Sequence, residues 1–467
     1  MRFRFFTLPA LAVLILGALT LSCSKEQRLL DAIPSDVEQA GTIRLKSLFE
    51  QAGCSYKDGK IQIPEDIDAG ERLSRVVGLI GRLDESGVCD PNQVAWTMTG
   101  KKNIYLTMLV DDKAKFKEIT ADDIDWTDET GDYACGKTGN MLVLLGDDRV
   151  WLTSGEPSSA VGDIESLLKS AKESSIASMT GIDQLLRVDN LINMVVRQSA
   201  IPASKGKKEA KGENPALTAR WGTFTANIKD NKIVGTSTVM EADGKVIPFK
   251  GLTPVNPAVL AYVPESFNIA FAIGVTPEFD WSVVSQLIAS VGGFQARGML
   301  AAATPYLQAL DGTVLLAAGP ANEHAYEAPD NWHFLLMARL SQDKINDIMG
   351  MIRTSLFRAG VSPKEAKDGV MLIPQYGMDI YVGNVDGYLA VSNLPFDPNR
   401  QNSLAPLFTG KCGAISLQLP SLSQVGFGLP DFGVDFKVQV TPEDGELTVG
   451  LTGTDRPILQ AILETLL

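Results

Sequence analysis

Apolar residues recur along this chain in two periods, and the two periods alternate in an order that occurs twice. Alternating apolar and polar positions flank Asp58-Gly59, Asp147-Asp148, Asp230-Asn231, Asp386-Gly387 and Asp444-Gly445. Such turn pairs between β-rich runs predict hairpins. Helical spacing stands elsewhere. Leu73, Val76, Val77 and Ile80 recur at intervals of three and four, as do Val283, Val284, Leu287 and Ile288, and then Ile345, Ile348, Met349 and Ile352. The chain closes with Asp455-Arg456-Pro457 before ILQAILETLL, where Asp455 is placed to cap a helix that Pro457 opens.

The two halves match segment by segment. Ile33-Pro34 answers Val263-Pro264, and IYLTMLVDDKAKF from Ile104 answers FLLMARLSQDKIND from Phe334 at the same spacing, with Leu106 opposite Leu336. DDRVWLTS from Asp147 then answers VDGYLAVS from Val385, and IKDNKIVGTSTV answers TPEDGELTVGLT from Thr441. Strands and helices mixed without regular βαβ alternation predict an α+β fold: two tandem related repeats of mainly antiparallel sheet with helices packed on one face. Residues 1–22 read as a signal peptide, 23–250 as the first repeat and 251–467 as the second, joined near LTPVNP. The lysine-rich insertion 203–214 reads as a solvated loop in the first repeat.

The N-terminus carries an address. Arg2 and Arg4 precede an uncharged apolar run from Phe5 to Leu19, and Thr20-Leu21-Ser22-Cys23 follows. Basic head, apolar body and a small residue before cysteine resemble a lipoprotein signal, with Cys23 as the acylated mature N-terminus; an uncleaved anchor is the alternative. Ser24, Lys25 and Glu26 follow without an aspartate at the second mature position, which favours the outer membrane of a bacterial envelope. The segment LLDAIPSDVEQAGTIRLKSLFEQAG from Leu29 is similar to the opening of an uncharacterised family of Bacteroidetes-type lipoproteins, a domain of unknown function. That resemblance implies a location and an architecture and transfers no functional residue.

Charge narrows the partners. The chain of 467 residues has a formal net charge of -14, and loss of Arg2 and Arg4 makes the mature body more acidic still. An acidic surface repels nucleic acid and disfavours electrostatic docking on anionic lipid. At 45% hydrophobic and 21% charged, the composition supports a sizeable core. Of the five cysteines, Cys54 and Cys89 bracket a helical pair and are the candidates for a disulfide in an oxidising compartment.

Catalytic chemistry finds little footing. Gly131 to Thr138 satisfies the phosphate-loop expression, but it follows an acidic polar stretch and leads into the strand-like MLVLL, so no nucleotide is expected. The two histidines, His324 and His333, form no paired-ligand motif, and no metal or other cofactor is expected. Asp122, Asp123, Asp125, Asp128 and Glu129 crowd one loop without the spacing of a calcium-binding loop. No serine or cysteine nucleophile stands in a recognisable motif. A carboxylate pair can hide among the 56 acids. Of the six tryptophans, Trp126 in the acidic loop is the candidate sugar-stacking residue, while Trp96, Trp151, Trp281 and Trp332 read as core. These features predict a non-enzymatic envelope lipoprotein, tethered through Cys23, with a protein or glycan partner. A surface glycan-binding protein or a carboxylate-based glycan hydrolase stands as the alternative, and the enzyme question stays open.

Overall fold

The alternation read along the chain forms antiparallel sheet in the computed structural model, which describes residues 28–57, 60–62, 78–98, 103–127, 129–198, 219–281, 305–322, 331–366, 369–375, 378–400, 402–421, 423 and 431–461. Cys23, the loop 203–214, Asp58-Gly59, Asp128, His324 and the periodic runs at 73–77 and 283–288 lie outside the described residues. The fold is α+β. One unit holds the chain to Asn231, Gly235–Ile247 and Arg456 onward; the other holds Lys232–Val234 and Pro248–Asp455. The C-terminal segment expected in the second repeat therefore groups with the first unit.

In the first unit β1 (Gln39–Arg44), α1 (Leu45–Gln51) and the small hairpin β2 (Ser55–Lys57) and β3 (Lys60–Gln62) lead to β4 (Gln93–Met98) and β5 (Ile104–Leu109). Then come α2 (Lys113–Ile119), β6 (Asp125–Trp126), β7 (Ala134–Thr138), β8 (Met141–Leu145) and β9 (Arg149–Thr153). Helices α3 (Pro157–Glu173) and α4 (Thr180–Arg187) precede β10 (Ile192–Gln198), β11 (Arg220–Lys229) and β12 (Lys232–Met240). The sheet order is β6-β7-β8-β9-β5-β4-β1-β10-β11, with antiparallel pairing at every step. Hydroxyl pairs Thr223–Thr238 and Thr225–Thr236, both at 2.8 Å, join β12 to β11. One row of register partners crosses the sheet through Trp126, Gly136, Val143, Leu152, Leu106, Trp96, Gly41, Met194 and Phe224.

The second unit runs β13 (Ile269–Val275), β14 (Gly312–Pro320), β15 (Trp332–Arg339), α5 (Gln342–Arg358), β16 (Lys364–Glu365), β17 (Met371–Gln375), β18 (Met378–Val385) and β19 (Tyr388–Ser392). It ends with the short α6 (Ala405–Phe408), β20 (Gly413–Leu419), β21 (Gly433–Val440) and β22 (Asp444–Thr452). Its order is β16-β17-β18-β19-β15-β14-β13-β20-β21-β22, again antiparallel. Its row of partners is Glu365, Met371, Val382, Val391, Leu336, Leu316, Phe271, Ile415, Val438 and Leu447.

Helices cover both faces of each sheet, not one as the pattern suggested. In β8 Leu142 and Leu144 join the cluster under α3, while Val143 and Leu145 join the one that holds Phe116 of α2. An apolar run without alternation is the signature of a strand covered on both sides. The second unit repeats the arrangement. Leu335 and Met337 pack beneath the 3₁₀ segment Pro257–Tyr262 and α6, and Leu336 faces the cluster of Ile345 from α5.

Turn chemistry is borne out at three hairpins and shifted at a fourth. Asp147-Asp148 bends the chain between β8 and β9, where the Gly146 N–H donates to the Arg149 carbonyl at 3.0 Å. Asp230 and Asn231 have φ of 51° and 56°, and Asp386 and Gly387 of 50° and 78°, the paired positive angles that suit tight hairpins. In the last hairpin the turn spans Thr441 to Asp444, because Val440 already pairs with Gly445. Asp444-Gly445 therefore opens β22 and is not the bend.

Asn231 also does what was expected of Asp455. Its Oδ1 accepts the Ile458 N–H at 2.7 Å and its Nδ2 donates to the Arg456 carbonyl at 2.8 Å, capping the C-terminal helix from a hairpin tip. Asn231→Ala removes both bonds and strains a left-handed backbone position. It should lower the unfolding free energy by about 1–2 kcal/mol and speed amide exchange at Ile458 ahead of the sheet. Unchanged exchange at Ile458 would show that the helix is held by its apolar face alone.

Candidate functional site

Strand ends in the second unit frame a cleft of about 750 Å³. Its walls come from the residues before β13, the end of β14, the end of β20 and the meeting edge of β21 and β22, and Phe267, Pro320, Leu419, Val434 and Thr452 all line it. Close backbone approach shapes the floor. A Cβ on Gly319 would stand 2.5 Å from the Phe267 Cα, and one on Gly433 would stand 2.4 Å from the Leu419 carbonyl oxygen, so both positions require glycine. The Gln418 N–H donates to the Asn268 carbonyl at 2.7 Å and ties β20 to the loop before β13.

Two carboxylates line the cleft, Glu265 on the exposed rim and Asp435 deeper in. The Asp435 side chain is 19% exposed and its Oδ2 lies 2.6 Å from the Lys437 ammonium. Residues two apart on a strand share a face, which is how β21 sets this pair side by side. The other oxygen, Oδ1, is buried without a hydrogen-bond partner. A buried acceptor left unmade costs about 1–3 kcal/mol, and here it belongs to a residue that lines the cleft. In the first unit the cavity beside Thr42 and Arg187 measures about 20 Å³, room for one water.

The residues singled out by the sequence do not converge here. Trp126 is half-buried in β6, its ring edge-on to Phe116 at 6.3 Å and 79°, with the Lys117 ammonium 5.7 Å from its centroid. Both ring contacts are internal, so this is a packing residue and not an open platform. Cys54 and Cys89 are unbridged. Val88 bridges Val110 and the chain bends at Cys89, and while Val88 joins Cys54 in one cluster, Cys89 packs against another. Burial pushes the Cys54 thiol up from its usual range. The phosphate-loop expression is β7 itself, entered by a turn at Gly131 and left by another at Gly139. The acidic loop is answered from within, since Arg82 reaches Asp122 at 3.1 Å and Asp123 at 3.4 Å. Among the described residues no group of three or more His, Cys, Asp or Glu is placed to hold a metal ion, and no helix is long and apolar enough to cross a membrane.

What the sequence reading missed is Asp435. Its signal is a charged residue at a wall-facing position of VDFKVQV, matched two residues on by a lysine, and such an i, i+2 pair is legible once the strand is accepted.

No family model matches the chain, and no curated protein matches it. Among solved structures, crystal form III of TP0453 is similar at a TM-score of 0.26 and 9% identity, covering 47% of this chain and 81% of that one. Crystal form IV gives 0.26 and 10% over 45% and 79%, and form I gives 0.25 and 10% over 47% and 81%. Likeness at this level assigns neither a fold nor an activity.

The strongly shifted titratable groups are structural tyrosines. Burial, with a hydrogen bond to Asp163, lifts Tyr105 from 10.0 to about 12, and burial with a hydrogen bond to Asp386 does the same for Tyr262. A proton held more tightly in the folded chain stabilises fully below the unfolded pKa and is lost as pH rises through the folded one. Stability should thus hold to about pH 10 and fall between 10 and 12. Urea titrations across that range should show a shallower fall for Tyr105→Phe and Tyr262→Phe; identical slopes in wild type and variants would refute the assignment.

Proposed function

We propose that this chain is an envelope lipoprotein, acylated at Cys23 and probing its surroundings as a binding protein, whose body is two tandem related repeats. The support for the repeats is the strand order and register. The order β6-β7-β8-β9-β5-β4-β1-β10-β11 corresponds strand for strand to β16-β17-β18-β19-β15-β14-β13-β20-β21. Leu106 and Leu336, paired in the sequence comparison, occupy the same place in their two rows, as do Gly41 and Phe271. Even a side-chain bond recurs: Thr153 Oγ1 donates to the Ile104 carbonyl at 2.9 Å and Ser392 Oγ to the Phe334 carbonyl at 2.8 Å. That bond pairs Thr153 with Ser392, one residue away from the match made between DDRVWLTS and VDGYLAVS.

The binding role rests on one observation, the buried and unpartnered Oδ1 of Asp435, a residue that lines the cleft, so that a small turn of its side chain would present an acceptor to a ligand there. Its carboxylate is charge-compensated by Lys437, which suits accepting a hydrogen bond better than abstracting a proton. The ligand class is then a small molecule rich in hydroxyl or amino donors, a glycan fragment foremost. The hydrolase reading needs a second carboxylate acting across the cleft with Asp435, and Glu265 is the residue that would have to supply it.

Two measurements test this. Calorimetry against a panel of neutral and amino sugars should find a ligand whose affinity drops at least about tenfold in Asp435→Ala, the scale of a charge-assisted bond. Release of reducing sugar by the wild type, lost in Glu265→Gln, would instead establish the hydrolase. For the anchor, mass spectrometry of the native protein should find acylated Cys23 at the N-terminus and Cys23→Ala should leave the membrane fraction; an intact Met1 start in both would remove the lipoprotein reading.

A further inference from the structure

Helix α5 buries one residue fully, Ile345, and half-buries Ile348, Met349, Ile352 and Leu356 along the same stripe. Its opposite side is unusual. Gly350, Met351, Thr354, Phe357 and Arg358 follow the i, i+1, i+4, i+7, i+8 spacing of one helix face, and all five are exposed. Phe357 is 85% exposed and Met351 46%, two large apolar side chains on a face that the sheet does not need.

Charge on the same stretch is one-sided. From Ile348 to Lys364 the chain carries Arg353, Arg358 and Lys364 and no acidic residue, in a protein of net charge -14. All three cations are exposed. The acids of α5, Asp343 and Asp347, stand in its N-terminal half. Between Asp347 and the exposed Glu365, a general acidity that repels anionic lipid is therefore locally reversed, at the place where the Phe357 ring stands in solvent and the Met351 thioether, touched by the Tyr306 hydroxyl at 3.6 Å, is half exposed.

We propose that the C-terminal half of α5, with Lys364 beyond it, is a contact surface for an anionic phospholipid bilayer. A bilayer interface is the partner that takes both features at one depth: acyl chains receive Phe357 and Met351 while lipid phosphates pair with Arg353, Arg358 and Lys364. An acidic protein would match the charges, but it would not by itself call for an exposed phenylalanine at the level of the arginines. Two apolar side chains and three cations bind a bilayer weakly. The contact therefore orients a protein already held near the membrane, and it rests on the envelope reading to that extent.

The test uses the full chain reconstituted in vesicles, with an environment-sensitive fluorophore on Phe357→Cys and, as control, on Asn346→Cys in the acidic half of the helix. Both labelled variants carry Cys89→Ser, because Cys89 is only half-buried, while Cys54, Cys135 and Cys412 are buried. In vesicles of phosphatidylglycerol and phosphatidylcholine the label at 357 should shift to the blue and the label at 346 should not; with phosphatidylcholine alone neither should move. Arg358→Glu with Lys364→Glu, which spares the Arg353 contact to Met371 Sδ at 3.4 Å, should raise the phosphatidylglycerol needed for half the shift by about fivefold or more per charge. An unmoved label at 357, an equal shift at 346, or a shift that grows with protein concentration in the absence of lipid would overturn the proposal, the last by identifying a second protein molecule as the occupant. The mass of the mature N-terminus is read on the same samples, so a failed anchor and a failed helix contact give different results.

Discussion

Each sheet of this chain is apolar on both faces, and that one constraint organises everything built around it. A strand such as β8, with Leu142 and Leu144 on one side and Val143 and Leu145 on the other, cannot leave either side to water without losing roughly 1.5–3 kcal/mol per large side chain. The first unit meets the demand with α3 on one face, burying Ala160, Val161, Ile164, Leu167 and Ala171, and with Phe116 of α2 on the other. In the second unit the described coverings include the 3₁₀ segment Pro257–Tyr262, α5 and α6. Its long helix α5 contributes a single fully buried side chain, which leaves apolar residues of that helix available for contacts outside the unit.

Strand periodicity was the part of the fold most legible in the sequence. Alternation around Asp230-Asn231 and Asp386-Gly387 located hairpins whose positive φ angles the structure contains, because those residue pairs tolerate the left-handed region that tight hairpins demand. MLVLL was legible as a strand but not as a strand covered on both sides, and the single-face expectation failed there. Capping was misassigned for a related reason. Asp455 is the local candidate, yet the cap comes from Asn231, more than two hundred residues earlier in the chain, and no local spacing rule reaches that far. The Cys54–Cys89 bridge failed on a one-residue detail, since Val88 joins the cluster of Cys54 while Cys89, at the bend, packs against another.

The candidate site was less legible than the fold. Trp126 drew attention because an aromatic residue among acids looks exposed, but Phe116 and Lys117 occupy its ring. Asp435 drew none, because among 56 acidic residues its spacing from Lys437 gains meaning only once VDFKVQV is accepted as a strand. Its distinction is created by the fold: β21 sets Lys437 beside one oxygen while the other stays buried without a partner. A carboxylate in that position is neither a solvated surface acid nor a closed ion pair. The acidic loop shows the contrasting case, in which Arg82 answers Asp122 and Asp123 from inside the unit.

On the reading that the two units descend from one repeat, register explains what was kept and what was free to change. Slipping a strand by one residue would turn every buried side chain outward, so strand order and cross-sheet rows are held even where identities differ, as Trp96 and Gly41 give way to Leu316 and Phe271. The coverings are under no such constraint. Between β9 and β10 the first unit has the seventeen-residue α3, whereas between β19 and β20 the second has only the four-residue α6. The cleft of about 750 Å³ and the exposed face of α5 both belong to the second unit. On that reading a duplicated sheet keeps one register in both copies, and recognition can evolve in the cleft and on the exposed helix face without disturbing it.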